Sequence, residues 1–151
     1  MSAPDHLRFH HIGYAVANIA AAKRELLDPL FAPEWLGEPI ADPIQRVRVC
    51  FGRLPGGPLI ELVEPLGPDS PVSHIIERRR GGLYHTCFET SALDVAIAAF
   101  RKRRCLPVTR PAPAAAFGGR RIVFVLSPAG DLFELLEAPS PPGLVAPPSI
   151  P

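Results

Sequence analysis

The chain repeats itself, and that repetition limits its possible folds more than any other feature. The first copy opens with a strand-like run, Phe9 to Val16 (FHHIGYAV). Asn18 follows as a helix cap, with Ile19, Ala22, Leu26 and Leu30 spaced to share one helical face. The second copy opens with Leu83 to Thr90 (LYHTCFET). Ser91 then takes the cap position, with Asp94 placed as in a capping box and Leu93, Ile97 and Phe100 on one face. Each copy closes on a hairpin, one over Arg46 to Pro65 and one over Gly119 to Pro139. Both hairpins end on Glu-Leu-x-Glu, at 61–64 and 134–137.

Weak strands over 35–39 and 106–110 complete the pattern, which reads β-α-β-β-β twice. The connecting stretch, 66–82, predicts a short helix from Pro71 to Arg80, opened by Ser70 and ended by Gly81. The expected class is α+β, with two tandem βαβββ modules in a single domain over 1–137. Module one spans 8–65 and module two 83–137. Six of the 20 prolines fall in Ala138 to Pro151. Proline fixes φ and removes a donor, so 138–151 reads as an extended or disordered tail.

Composition removes several functional classes. A net charge of +1 argues against a nucleic-acid binder. Three cysteines without close spacing (Cys50, Cys87, Cys105) make neither a disulfide framework nor a cysteine zinc site. No apolar run approaches the roughly 20 residues of a membrane span. The expectation is a soluble, cytoplasmic protein.

Side chains on a strand alternate between faces. On its strand, His11 shares a face with Gly13 and Ala15; His85 shares one with Cys87. Glu61 lies between Leu59 and Val63, and Glu134 between Leu132 and Leu136. A carboxylate flanked in this way is drawn inward, where an isolated charge is costly unless it is paired or binds a metal. From His11 to Glu61 is 50 residues, and from His85 to Glu134 is 49. If the copies are structurally equivalent, a pseudo-two-fold axis brings both His/Glu pairs together. Two imidazoles and two carboxylates suit one divalent ion of Mn, Fe, Co, Ni or Zn. By alternation His10 faces away from His11 and is not counted. Glu64 and Glu137 read as solvated, and His6 and His74 as surface residues.

These stretches resemble the vicinal oxygen chelate superfamily (glyoxalase, bleomycin resistance and dioxygenase proteins), and within it the methylmalonyl-CoA epimerases. The resemblance rests on HHIGYAV (His10 to Val16), IELVEPLGPDSPVSHIIERRRGGLYHTCFE (Ile60 to Glu89) and GRRIVFVLSPAGDLFELLE (Gly119 to Glu137). It implies that the two modules form an incomplete, cup-shaped mixed sheet around a metal held by His11, Glu61, His85 and Glu134. It also implies two bases, one of them Glu134 and the other a glutamate just before the third strand. This sequence has Asp42-Pro43-Ile44-Gln45 there, so Asp42 is the acid offered, with Glu38 nearby.

The reaction implied is proton removal next to a metal-bound acyl-thioester carbonyl, as in an epimerase. Arginines 78–80, 101, 103, 104, 120 and 121 could meet coenzyme A phosphates, although solvated surface is the simpler reading for most. A glyoxalase-type lyase or a tailoring enzyme would use the same ligands. A dioxygenase would need only three of them, and a metal-free binding or resistance module none. Relatives commonly pair as homodimers, which is the expectation here.

Overall fold

The structure is a computed structural model that describes residues 7–139. His6 and the tail from Ser140 onward lie outside that range. Ten strands form one open mixed sheet in the order β2-β4-β5-β1-β6-β10-β9-β7, with β3 on β4 and β8 on β9. The first copy supplies β1 (Arg8–Ala15), β2 (Glu34–Trp35), β3 (Ile40–Asp42), β4 (Val47–Arg53) and β5 (Leu59–Pro65). The second supplies β6 (Gly82–Thr90), β7 (Leu106–Pro107), β8 (Ala112–Pro113), β9 (Arg121–Leu126) and β10 (Leu132–Glu137).

The two first strands, β1 and β6, pair antiparallel at the centre. Each has the last strand of its own copy as its parallel outer neighbour, β5 beside β1 and β10 beside β6. The hairpins β4–β5 and β9–β10 then build outward. This is the expected pseudo-two-fold arrangement of an α+β cup, and every parallel pair is bridged by a helix-containing crossover.

The helices within the two copies cover one face of the sheet, while the linking helix packs Ile75 and Ile76 on the other, against Val47, Val49 and Val63. α1 (Ile19–Ala22) opens on Asn18, whose side chain accepts from the Ala21 N–H at 2.8 Å. It runs through a π-helical turn (Lys23–Leu27) into α2 (Asp28–Phe31). The π turn is wider than 3.6 residues and rotates the apolar stripe. Ile19 is therefore buried with Cys50 and Leu62, while Leu26 and Leu30, expected on the same face, are exposed. In the second copy α4 (Leu93–Lys102) keeps a regular period and packs Leu93 and Ala96 on Val123, Val125 and Leu135. Ala92, not Ser91, occupies its N-cap position, and Thr90 Oγ1 accepts from the Ala92 N–H. The linking helix α3 spans Ser73–Arg79 and ends on Arg80 in the left-handed region, one residue before the expected Gly81. The weak strands expected at 35–39 and 106–110 are mostly not formed: only Trp35 (in β2) and Leu106–Pro107 (β7) of those ranges are strand, and β3 and β8 follow beyond them. Among the described residues no helix is long and apolar enough to cross a membrane.

Glu64 overturns its expected solvated state. It is buried, accepts from the Ile19 N–H at 3.0 Å, and meets Arg48 at 2.9 Å. Strand alternation explains this, since Glu61 and Glu64 have opposite parity and Glu64 faces the helix layer. Glu137, in the matching position, is half-buried against Arg121 at 2.8 Å. Glu64→Ala would orphan a buried helix-terminal N–H. It should cost about 1–3 kcal/mol in urea unfolding, whereas a solvated Glu64 would give a change near zero.

Candidate metal centre

Sheet register carries the four candidate ligands to one place. Across the central pair, His11 sits opposite Cys87 and Gly13 opposite His85. Across the parallel pairs, Glu61 lies beside Gly13 and Glu134 beside Cys87. Each glutamate is thus registered with the residue two beyond its own copy's histidine. All four side chains are buried on the concave face, and one donor atom from each falls within a cluster no wider than 4.8 Å.

His11 Nε2 lies 3.1 Å from His85 Nε2, 3.3 Å from Glu61 and 3.4 Å from Glu134. His85 Nε2 lies 2.8 Å from Glu134 and 3.9 Å from Glu61. Hydrogen bonding does not satisfy this set. The Glu134 oxygen aimed at the cluster, Oε2, has no well-aligned donor despite its closeness to His85, and neither does His85 Nδ1. Donors bound to one cation at about 2.0–2.2 Å lie about 2.8–3.6 Å apart at neighbouring positions, and all but one of these separations fit that range.

The electrostatics point the same way. Burial pushes the Glu61 carboxyl well above the ordinary range, and the charges of Glu134 and Asp42 add to this. Burial acts on Glu134 in the same direction. The charges of His85 and His11, whose rings lie against its Oε2, outweigh it and hold Glu134 down, at about 2. Burial lowers His11, against the pull of Glu134. Two buried carboxyls this close each make the other costlier to ionise, and one divalent cation would offset that cost. The residues present therefore fit a bound metal, with borderline-hard N and O donors.

Gly13 makes room for the site, because a Cβ there would overlap the His85 ring. Aromatic rings wall the cluster. Phe117 stacks on His11 (5.3 Å for Phe51, 6.0 Å for Phe117, centroid to centroid), and Phe124 sits 5.3 Å from His85. Burial raises the Tyr84 phenol, so Tyr84 is a neutral wall. The remaining cavity is about 40 Å³ and is also lined by Asp42, Gln45, Val47, Val49 and Val63.

Asp42 is buried at the rim of this cavity. Its Oδ1 accepts from the Ile44 and Gln45 N–H groups at 3.0 Å each. Its Oδ2 accepts from the Ala115 N–H at 2.9 Å. The carboxylate expected to act as a base is thus engaged by three backbone donors. It ties module one to the 3₁₀ turn Ala115–Phe117 of module two. Glu38 is exposed and does not line the cavity. Arg120 and Arg121 are committed to Glu89 and Glu137, while Arg78, Arg101, Arg103 and Arg104 are exposed.

Sequence reasoning missed His10. A register irregularity between Phe9 and His11 breaks strict alternation. His10 Nδ1 consequently lies 2.8 Å from His11 Nδ1. The signal available was the His-His doublet itself. The aromatic walls were also missed, since Phe117 arrives from a turn with no periodic pattern.

Comparison with known proteins agrees with this architecture. Residues 10–124 match the family model of the glyoxalase/bleomycin resistance protein/dioxygenase superfamily. The chain belongs to that superfamily. It is 31% identical over 135 residues to the mitochondrial methylmalonyl-CoA epimerase of Bos taurus, covering 87% of this chain and 74% of that one. The crystal structure of methylmalonyl-CoA epimerase from Mycobacterium tuberculosis superposes with a TM-score of 0.77 at 25% identity, covering 93% of this chain and 94% of that one. A Streptomyces coelicolor methylmalonyl-CoA epimerase variant, in complex with 2-nitronate-propionyl-CoA, gives 0.73 at 26% identity, covering 88% and 98%.

The role given to Gly13 has a direct check. Gly13→Ala should leave the circular dichroism spectrum unchanged yet weaken divalent-metal binding at least about ten-fold, the scale expected when a ligand loses its orientation. Unchanged affinity would show that His85 needs no such space.

Proposed function

We propose that this chain is a divalent-metal-dependent epimerase-type isomerase acting on a coenzyme A thioester. The observation that carries this is the convergence of His11, Glu61, His85 and Glu134 on one point with a Glu134 oxygen left without an aligned donor. Relatives named methylmalonyl-CoA epimerase support the reaction type and the substrate class.

A cation held by these four residues would polarise a thioester carbonyl and stabilise the negative charge left when the neighbouring C–H loses its proton. Glu134 is the proton acceptor in this reading, because the two histidines keep it ionised. Phe51, Phe117, Phe124 and the valines of β4 and β5 give the site apolar walls that limit water, which strengthens the charge interactions inside. A cavity of about 40 Å³ admits a few waters but no acyl group. In this reading substrate entry opens the site further, and an outward movement of the Ala115–Phe117 turn that breaks its bond to Asp42 would do so.

Inverting a carbon centre requires a proton donor on the opposite face from the acceptor. Asp42 lies at the cavity rim, and release from Ala115 would free its Oδ2 for that task. If Asp42 remains tied, one base is present and the site supports a one-base isomerisation or lyase step. The engaged state of Asp42 is the observation that favours this second reading.

The test combines elemental analysis with deuterium uptake at C2 of methylmalonyl-CoA in deuterated water. The wild type should hold close to one divalent ion per chain and exchange the C2 proton. Glu134→Gln should lose exchange by about 10²-fold or more. Retained exchange in Glu134→Gln would remove it as the base. Asp42→Asn separates the two readings: exchange kept with inversion lost assigns Asp42 as the second base, and both kept assigns it as the tie between modules.

A further inference from the structure

The two candidate histidine ligands are supported differently from behind. His85 Nδ1 is buried without a partner. His11 Nδ1 instead faces His10 Nδ1 at 2.8 Å, and the rings cross edge to face at 5.1 Å. Two ring nitrogens this close can bond only if one carries the hydrogen and the other the lone pair. His11 Nε2 points at the cluster and can act as a ligand there only through its own lone pair. The hydrogen of His11 is then on Nδ1, and His10 Nδ1 is the acceptor. His10 in turn is braced by Phe117, edge to face at 5.5 Å.

We propose that His10 is a positioning residue for His11, whose acceptor Nδ1 locks His11 in the tautomer and ring orientation that turn Nε2 toward His85, Glu61 and Glu134. This rests on reading those four residues as a metal centre. His10 can reach His11 because the irregularity between Phe9 and His11 lets successive residues approach each other, which a regular strand forbids. A competing use of the same atoms is a second metal site formed by His10, His11 and Cys87, whose donors also cluster. The 2.8 Å contact between the two Nδ1 atoms already engages both of them with each other. Outer support of His11 is the role left for His10.

The test measures metal affinity, with no assay of turnover. Co(II) is titrated into the metal-free full chain against a competing chelator, and the visible Co(II) spectrum is recorded. The proteins are the wild type, His10→Phe, His10→Ala, His10→Asn and His85→Ala. Loss of the acceptor in His10→Phe or His10→Ala should weaken binding about 10- to 100-fold and alter the Co(II) bands, the scale typical of a lost outer partner. His10→Asn places an amide oxygen where Nδ1 stood and should restore most of the affinity and the spectrum. Thermal unfolding of the metal-free proteins identifies which variants fold, and either Phe or Ala suffices. Wild-type affinity and spectrum in the folded Phe or Ala variant would overturn the proposal, as would failure of His10→Asn to recover either. A wild type that binds no better than His85→Ala would instead remove the metal centre itself, a result distinct from one confined to His10.

Discussion

The antiparallel pairing of β1 with β6 is the contact on which the rest of the structure depends. It is the seam between the two copies, and it sets His11 opposite Cys87 and Gly13 opposite His85. From there the parallel neighbours β5 and β10 each bring a glutamate alongside. A slip of one residue at this seam would send the imidazoles of one copy to the helix-covered face. The register is held from both sides. Small and apolar residues such as Ala15 and Cys87 are buried on the concave side, while Leu62 and Leu135 pack under the helices.

Two glutamates on the same strand show how differently a buried carboxylate can be satisfied. Glu64 is met in full by a backbone N–H and an arginine, and it secures the start of α1 on the sheet. Glu61 is three residues earlier and therefore faces the other way. It meets imidazoles and a second carboxylate, and burial pushes its carboxyl well above the ordinary range. One is a structural joint, while the other is a carboxyl that resists ionising where it is buried and that a dication would favour in its charged form. The same parity separates Glu134 from Glu137, which meets Arg121 on the outer face.

The two modules are joined over the cavity as well as at the seam. Asp42 closes the turn before β4 and at the same time holds the Ala115 N–H of the other module. The turn so held carries Phe117, which stacks on His11 and braces His10. The rings beside His10 and His11 and the turn that lines the cavity are thus tied to module one by the same hydrogen bond.

Much of this was legible in the sequence. The repeat, the strand parity of His11, Glu61, His85 and Glu134, and the two hairpins all follow from local periodicity, which the chain carries residue by residue. Superfamily membership was legible for the same reason, since its signature is those strands. The other features depend on contacts between distant segments. A π turn exposed Leu26 and Leu30, a register irregularity brought His10 to His11, and packing buried Glu64 beneath a helix. The three backbone N–H groups around Asp42 include one that lies 73 residues away in sequence. Local pattern decided which residues share a face; only the tertiary structure decided which faces meet, because non-local hydrogen bonds and close packing have no period for a sequence to display.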